Sequence, residues 1–200
     1  MTQTIELPRG EIRVLQPREV AELPDSGGVE WAPLAPYWAV LWRSGVALAR
    51  EIDPMELEHL RVVELGCGLA LPSIAAARAG ARVLATDVCE EALALANRNA
   101  RANGVEIETE RVDWAEPAEL VRRAPFDLVL AADVLYEPAN VAPLLSLLPR
   151  LASRAWLADP GRTTAAAFHE GASGSWEVET EKRGVVGLHR LRLRASLPGP

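Results

Sequence analysis

Two hundred residues, 49% of them hydrophobic, are enough for one domain with a sizeable core. A net charge of −7 speaks against tight nonspecific binding to nucleic-acid phosphates, and the apolar run "APLAPYWAVLW" is too short and proline-broken to span a bilayer. Two cysteines, Cys67 and Cys89, make no disulfide framework, so the chain reads as a soluble cytoplasmic protein with small buried thiols.

Along the chain, "EIRVLQP" predicts a short strand and "LPDSGG" a turn. Apolar residues at helical spacing in "YWAVLWRSGVALAREI" predict a helix from about Trp38 to Ile52, with Trp38 and Trp42 on one face. These elements form an N-terminal extension, residues 1–58, on a core of residues 59–200 within a single domain. The core alternates. "RVVEL" predicts a strand and "LPSIAAARAG" a helix stopped by Gly80; "RVLATD" predicts a strand and "EEALALANRNARANG" a helix stopped by Gly104. Strands follow at "EIETERVDW" and "FDLVLAADV", a helix at "PANVAPLLSLLPRLA" and a fifth strand at "AWLADP". "SWEVETEKRG" and "LHRLRLRAS" alternate as an antiparallel pair. The expected fold is α/β: a Rossmann-like seven-stranded, mostly parallel sheet with helices on both faces and antiparallel strands at the C-terminus.

Ligands of such sheets bind beyond the carboxyl ends of the strands. Those ends carry Glu64, Asp87, Asp113, Asp133 and Asp159, five carboxylates on one edge. Converging carboxylates are costly unless cations or hydrogen-bond donors compensate them, so this edge suits a cationic ligand with hydroxyls and amines better than a pyrophosphate. The glycine turn agrees. Gly66 and Gly68 fit a dinucleotide fingerprint, but its third small position falls on Leu71. The spacing acid-x-G-x-G-x-G instead fits Glu64, Gly66 and Gly68, with Ala70 last. Asp87, 21 residues after Gly66, stands where a carboxylate can accept hydrogen bonds from both hydroxyls of a ribose.

On these residues the chain resembles the seven-strand (class I) S-adenosylmethionine-dependent methyltransferases. "PYWAVLWRSGVALAR", "DVLYEP" and "DPGR" narrow the likeness to the protein-lysine methyltransferase group that includes the enzyme acting on the electron-transfer flavoprotein β subunit. The resemblance implies S-adenosylmethionine as cofactor and a lysine of a protein as methyl acceptor. It implies that Glu64, Gly66, Gly68 and Ala70 line the methionine end, that Asp87 holds the ribose, and that Asp113 and Trp114 sit at the adenine. Trp42 would pack against the cofactor, and Asp133 and Tyr136 would face the acceptor amine. The family usually has glycine where this chain has Ala70.

A small-molecule amine or nitrogen heterocycle stays open as the acceptor. So does the group that takes the proton, and Arg162 of "DPGR" either binds a substrate acid or caps a loop. Leu71 speaks against a nicotinamide-dependent oxidoreductase, and the lack of an N-P-P-Y segment at "DVLY" against nucleic-acid methylation. His59, His169 and His189 show no ligand spacing, so no metal is assigned.

Overall fold

A computed structural model describes residues 1–17 and 36–195. Seven strands form the central sheet. Five are parallel, β3 (Arg61–Leu65), β4 (Arg82–Asp87), β5 (Glu108–Arg111), β6 (Leu128–Ala132) and β7 (Arg154–Asp159); β8 (Trp176–Arg183) and β9 (Val186–Leu193) are the antiparallel pair. The spatial order is β5-β4-β3-β6-β7-β9-β8. The chain runs outward from β3 to β5 and then returns to β6 on the other side of β3. A crevice opens at that reversal, beyond the carboxyl ends of β3 and β6.

The sheet is buried on both faces because successive side chains of its strands point to opposite layers. Val62, Leu128 and Leu130 pack into one core with α1 (Arg43–Ile52) and α2 (Leu71–Arg78); Val63, Leu65 and Val129 pack into the other with α5 (Val141–Leu151). α3 (Glu90–Ala102) ends where expected: Gly104 has φ +71°, and Gly80 after α2 has φ +96°, the left-handed stop that glycine adopts without strain. Two short helices escaped the periodic reading, α4 (Ala118–Arg122) and the alanine-rich α6 (Thr163–Ala172). Among the described residues no helix is long and apolar enough to cross a membrane.

The N-terminal extension differs from expectation in two ways. A strand β1 (Thr2–Leu7) precedes the predicted one, β2 (Gly10–Leu15), and the two pair as a hairpin that buries Ile12 and Val14. The predicted helix over 38–52 is also split. Tyr37–Ala39 is a single 3₁₀ turn, the chain is extended at Trp42 (φ −75°, ψ 144°), and the helix starts at Arg43. Trp38 and Trp42 therefore share no helical face. Tertiary packing overrides the periodicity here, since the backbone of Trp38, in its 3₁₀ turn, lies against the glycine turn rather than in the predicted α-helix. The predicted "LPDSGG" turn lies outside the described residues.

Asn99 on α3, fully buried, ties the hairpin to the crevice. Its Oδ1 accepts from the Leu15 N–H at 2.7 Å, and its Nδ2 donates to the Leu69 carbonyl of the glycine turn at 3.1 Å.

Candidate active site

A cavity of about 460 Å³ opens at the crevice, within the usual size of a small-molecule site. Trp42, Glu64, Gly66, Gly68, Ala70, Asp87, Asp113, Trp114, Asp133 and Tyr136 all line it.

At one end β3 turns into α2 through three residues with positive φ: Gly66 (+64°), Gly68 (+47°) and Ala70 (+60°). Gly68 is required by space as well as by conformation, because a Cβ there would stand 2.7 Å from the Trp38 carbonyl oxygen. Ala70 accepts the left-handed strain that glycine would avoid, roughly 1–2 kcal/mol. Beneath the turn, the Glu64 carboxyl accepts from the Ser73 N–H at 2.9 Å and from the Ser73 hydroxyl. Burial pushes its pKa up to about 8, against the pull of those two bonds. Asp87 binds the same turn: Oδ2 accepts from Gly68 N–H at 2.9 Å and Oδ1 from Cys89 N–H at 3.0 Å. Burial raises its pKa too, opposed by these amides.

The wall is aromatic. Trp42 Nε1 donates to the Tyr37 carbonyl at 3.0 Å, closing the segment before α1 over the cavity. Trp114 lies close to Gly66, with ring atoms 3.4 Å from where a Cβ would be. Asp113 lies two residues past the end of β5, not on the strand as read; it is exposed, and its Oδ1 accepts from Ala115 N–H at 2.9 Å in a tight turn.

Asp133, immediately after β6, is held at φ +56° with its N–H bonded to the Ala158 carbonyl of β7 at 2.9 Å. Such a conformation in a non-glycine residue is strained and aims the side chain away from the strand direction. Its Oδ1 accepts from Arg162 Nη2 at 3.0 Å. Burial raises the carboxyl's pKa, opposed by the nearby Ser44 hydroxyl and the Arg162 guanidinium. The Ser44 Oγ, fully buried, makes no hydrogen bond of ordinary geometry. Tyr136 stands at the mouth, 38% exposed, rather than in the core.

The expectation of five convergent carboxylates needs correcting. Asp159 is 1% exposed and turns back on its own loop, its Oδ1 accepting from the N–H groups of Gly161 and Arg162, both at 2.7 Å. Four of the five line the cavity, and Asp133 already faces a protein cation. Of the two roles open for Arg162, the structure has its backbone closing the Asp159 turn while its side chain pairs with Asp133. That pairing had no signal in the spacing, nor did the part of Tyr37 and Cys89 in the cavity wall.

A family model described as lysine methyltransferase matches residues 37–156. Protein N-lysine methyltransferase METTL21A of Danio rerio is 34% identical over 122 residues, 58% of this chain and 56% of that protein. The electron transfer flavoprotein beta subunit lysine methyltransferase of Rattus norvegicus is 30% identical over 171 residues, 78% of this chain and 62% of that one. Histone-arginine methyltransferase METTL23 of Xenopus laevis is 31% identical over 149 residues, 72% and 62% of the two. The chain thus spans about three fifths of the length of these relatives. The match over 37–156 takes in the wall, the glycine turn, Asp87, Asp113 and the Asp133–Tyr136 segment: the chain belongs to the lysine methyltransferase family.

Proposed function

We propose that the chain transfers a methyl group from S-adenosylmethionine to the side-chain amine of a lysine in a protein substrate. The observation that carries this reading is a single cavity with a glycine turn and two ligand-facing carboxyls at one end and the strained Asp133, beside Tyr136, at the other. Lysine methyltransferases among the relatives support the acceptor class. The unpaired thiols of Cys67 and Cys89 support a cytoplasmic setting.

The residues fit the cofactor. The backbone at Gly66, Gly68 and Ala70 lets the methionine portion approach closely, and Glu64 lies beneath it with no cation among the described residues bonded to it. Asp87 uses one lone pair of each oxygen on an amide and keeps the others for the two ribose hydroxyls. Asp113 and Trp114 take the adenine amine and ring, and Trp42 closes the side.

When bound, the cofactor supplies an electrophilic methyl on a sulfonium, a leaving group that needs no acid. What remains for the protein is placement. Holding an amine in line with the methyl converts an encounter into a positioned displacement, an effect worth several kcal/mol. Asp133 orients the nitrogen through its carboxylate, and Tyr136 at the mouth packs along the side chain that carries it. The proton shed by the ammonium goes to Asp133, whose affinity for it burial has raised.

Calorimetry with S-adenosylhomocysteine and with NAD tests the cofactor: the first binds and the second does not, and binding of NAD alone would reject the reading. Tritiated S-adenosylmethionine added to a lysate with the protein then tests the acceptor. Label recovered as methyl-lysine after hydrolysis of the protein fraction is expected; label confined to small molecules points to a small-amine acceptor.

A further inference from the structure

We infer that Arg162 is a specificity-determining positioning residue: by occupying one oxygen of Asp133 it sets the acceptor site for a single-nitrogen cation and against a guanidinium. The inference rests on the proposed function and assigns its acceptor chemistry to a particular side chain.

The geometry starts from the sheet. β6 and β7 are parallel neighbours with Ala132 opposite Ala158, so the next residues, Asp133 and Asp159, emerge side by side. Two carboxylates this close repel unless a cation joins them. Arg162, three residues beyond Asp159, meets that need from a fixed base. Its N–H donates to Asp159 Oδ1 at 2.7 Å, its Nε is 4.0 Å from Asp159 Oδ2, and its Nη2 reaches Asp133 Oδ1 at 3.0 Å. The side chain is largely buried, 17% exposed, so the pair is part of the cavity floor rather than a surface contact.

Two consequences follow. Arg162 bridges the two carboxylates, and an ammonium is the compact cation that suits the oxygen it leaves on Asp133. Arg162 takes Oδ1 of Asp133, which leaves Oδ2 as the oxygen outside that pair, with the Ser44 hydroxyl as the carboxyl's other described neighbour. An ammonium is a compact point charge and is satisfied by one oxygen. A guanidinium binds a carboxylate most strongly through two parallel N–H bonds that use both oxygens. Arg162 already holds the one that the second arm of the fork would use. The same device keeps the carboxylate turned, so that Oδ2 meets the nitrogen from a constant direction.

The test measures binding to the full chain saturated with S-adenosylhomocysteine, using n-butylammonium and n-propylguanidinium as side-chain probes followed by NMR titration. The unmodified protein is expected to prefer n-butylammonium. In Arg162→Met, with Oδ1 released, that preference falls by about tenfold or inverts, the worth of one charge-assisted hydrogen bond. Arg162→Lys, which restores a cation against Oδ1, recovers most of it. A merely structural role would weaken both probes together and leave their ratio unchanged, and that result overturns the inference. So does a preference for n-propylguanidinium, or no saturable binding of either probe, in the unmodified protein. S-adenosylhomocysteine affinity reports whether each variant is folded, and Arg162→Leu, which also has no donor for Oδ1, substitutes for the methionine variant if that one is not. Failure of the lysine reading itself shows separately, as absence of methyl-lysine in the lysate experiment while the probe ratio still responds to Arg162.

Discussion

The two ends of the cavity treat their buried carboxylates in opposite ways. At the glycine turn, Glu64 and Asp87 are held by backbone amides and a serine hydroxyl, with no cation among the described residues bonded to either. Burial leaves Glu64 with a pKa near 8. At the far end, Asp133 has its own cation in Arg162. The first end is completed by a cationic ligand; the second is preset and accepts one charge more. On this account the cofactor changes the protonation of its subsite, whereas the acceptor meets a carboxylate already fixed in direction.

The contrast breaks most visibly at Asp133. Asp133→Ala is expected to lower the rate of lysine methylation by about a thousandfold, through lost placement and lost proton acceptance, in single-turnover assays with labelled cofactor. A loss below tenfold would mean that the acceptor is oriented elsewhere.

Glu64 gives the next effect, in pH. Its carboxyl titrates near 8 when folded against an ordinary 4.5, so the ligand-free fold loses stability as pH rises from 4.5 through 8. The ammonium of the cofactor favours the ionised form. Binding therefore releases a proton below pH 8, and affinity for S-adenosylhomocysteine falls toward about tenfold per unit as the pH drops. Calorimetry in buffers of different ionisation enthalpy reads the proton directly, and Glu64→Gln removes the dependence. A pH-independent affinity between 6 and 8 would place the cofactor ammonium away from Glu64.

The smallest effect belongs to the wall shared by both ends. Gly68→Ala forces a left-handed alanine into the Trp38 carbonyl, at a cost of about 2 kcal/mol. For a chain this size that lowers Tm by about 4–8 °C in a thermal melt. An unchanged Tm would show that the 3₁₀ turn yields freely.

Most of the fold was legible because the chain punctuates itself. Continuous apolar strands alternate with helices that stop at Gly80 and Gly104, and the acids at the strand ends mark the carboxyl edge. The segment before α1 was misread for a physical reason: the same aromatic and aliphatic residues that look periodic are spent on covering the cavity, with the Trp38 backbone laid on Gly68. α6 is rich in alanine and so offers little periodic contrast. At the site, spacing picked out Glu64, Gly66, Gly68, Ala70 and Asp87, the family resemblance picked out Asp113, Trp114, Asp133 and Tyr136, and all of them line one cavity. What escaped was pairing. Asp159 looked equivalent to Asp133, yet its Oδ1 is taken by its own loop, and Arg162 answers Asp133 only because β6 and β7 lie in register. A list of strand ends does not contain that relation until the strand order is known.

The division of labour between the two ends is tested most directly by titrating S-adenosylhomocysteine into Asp87→Ala and Asp133→Ala side by side in one calorimeter and one buffer. Two hydrogen bonds to a charged acceptor lost at Asp87 should weaken binding by at least about tenfold, while Asp133→Ala stays within about twofold of the unmodified chain. Equal losses in the two variants would contradict the account, because the carboxylates would then serve one ligand rather than two.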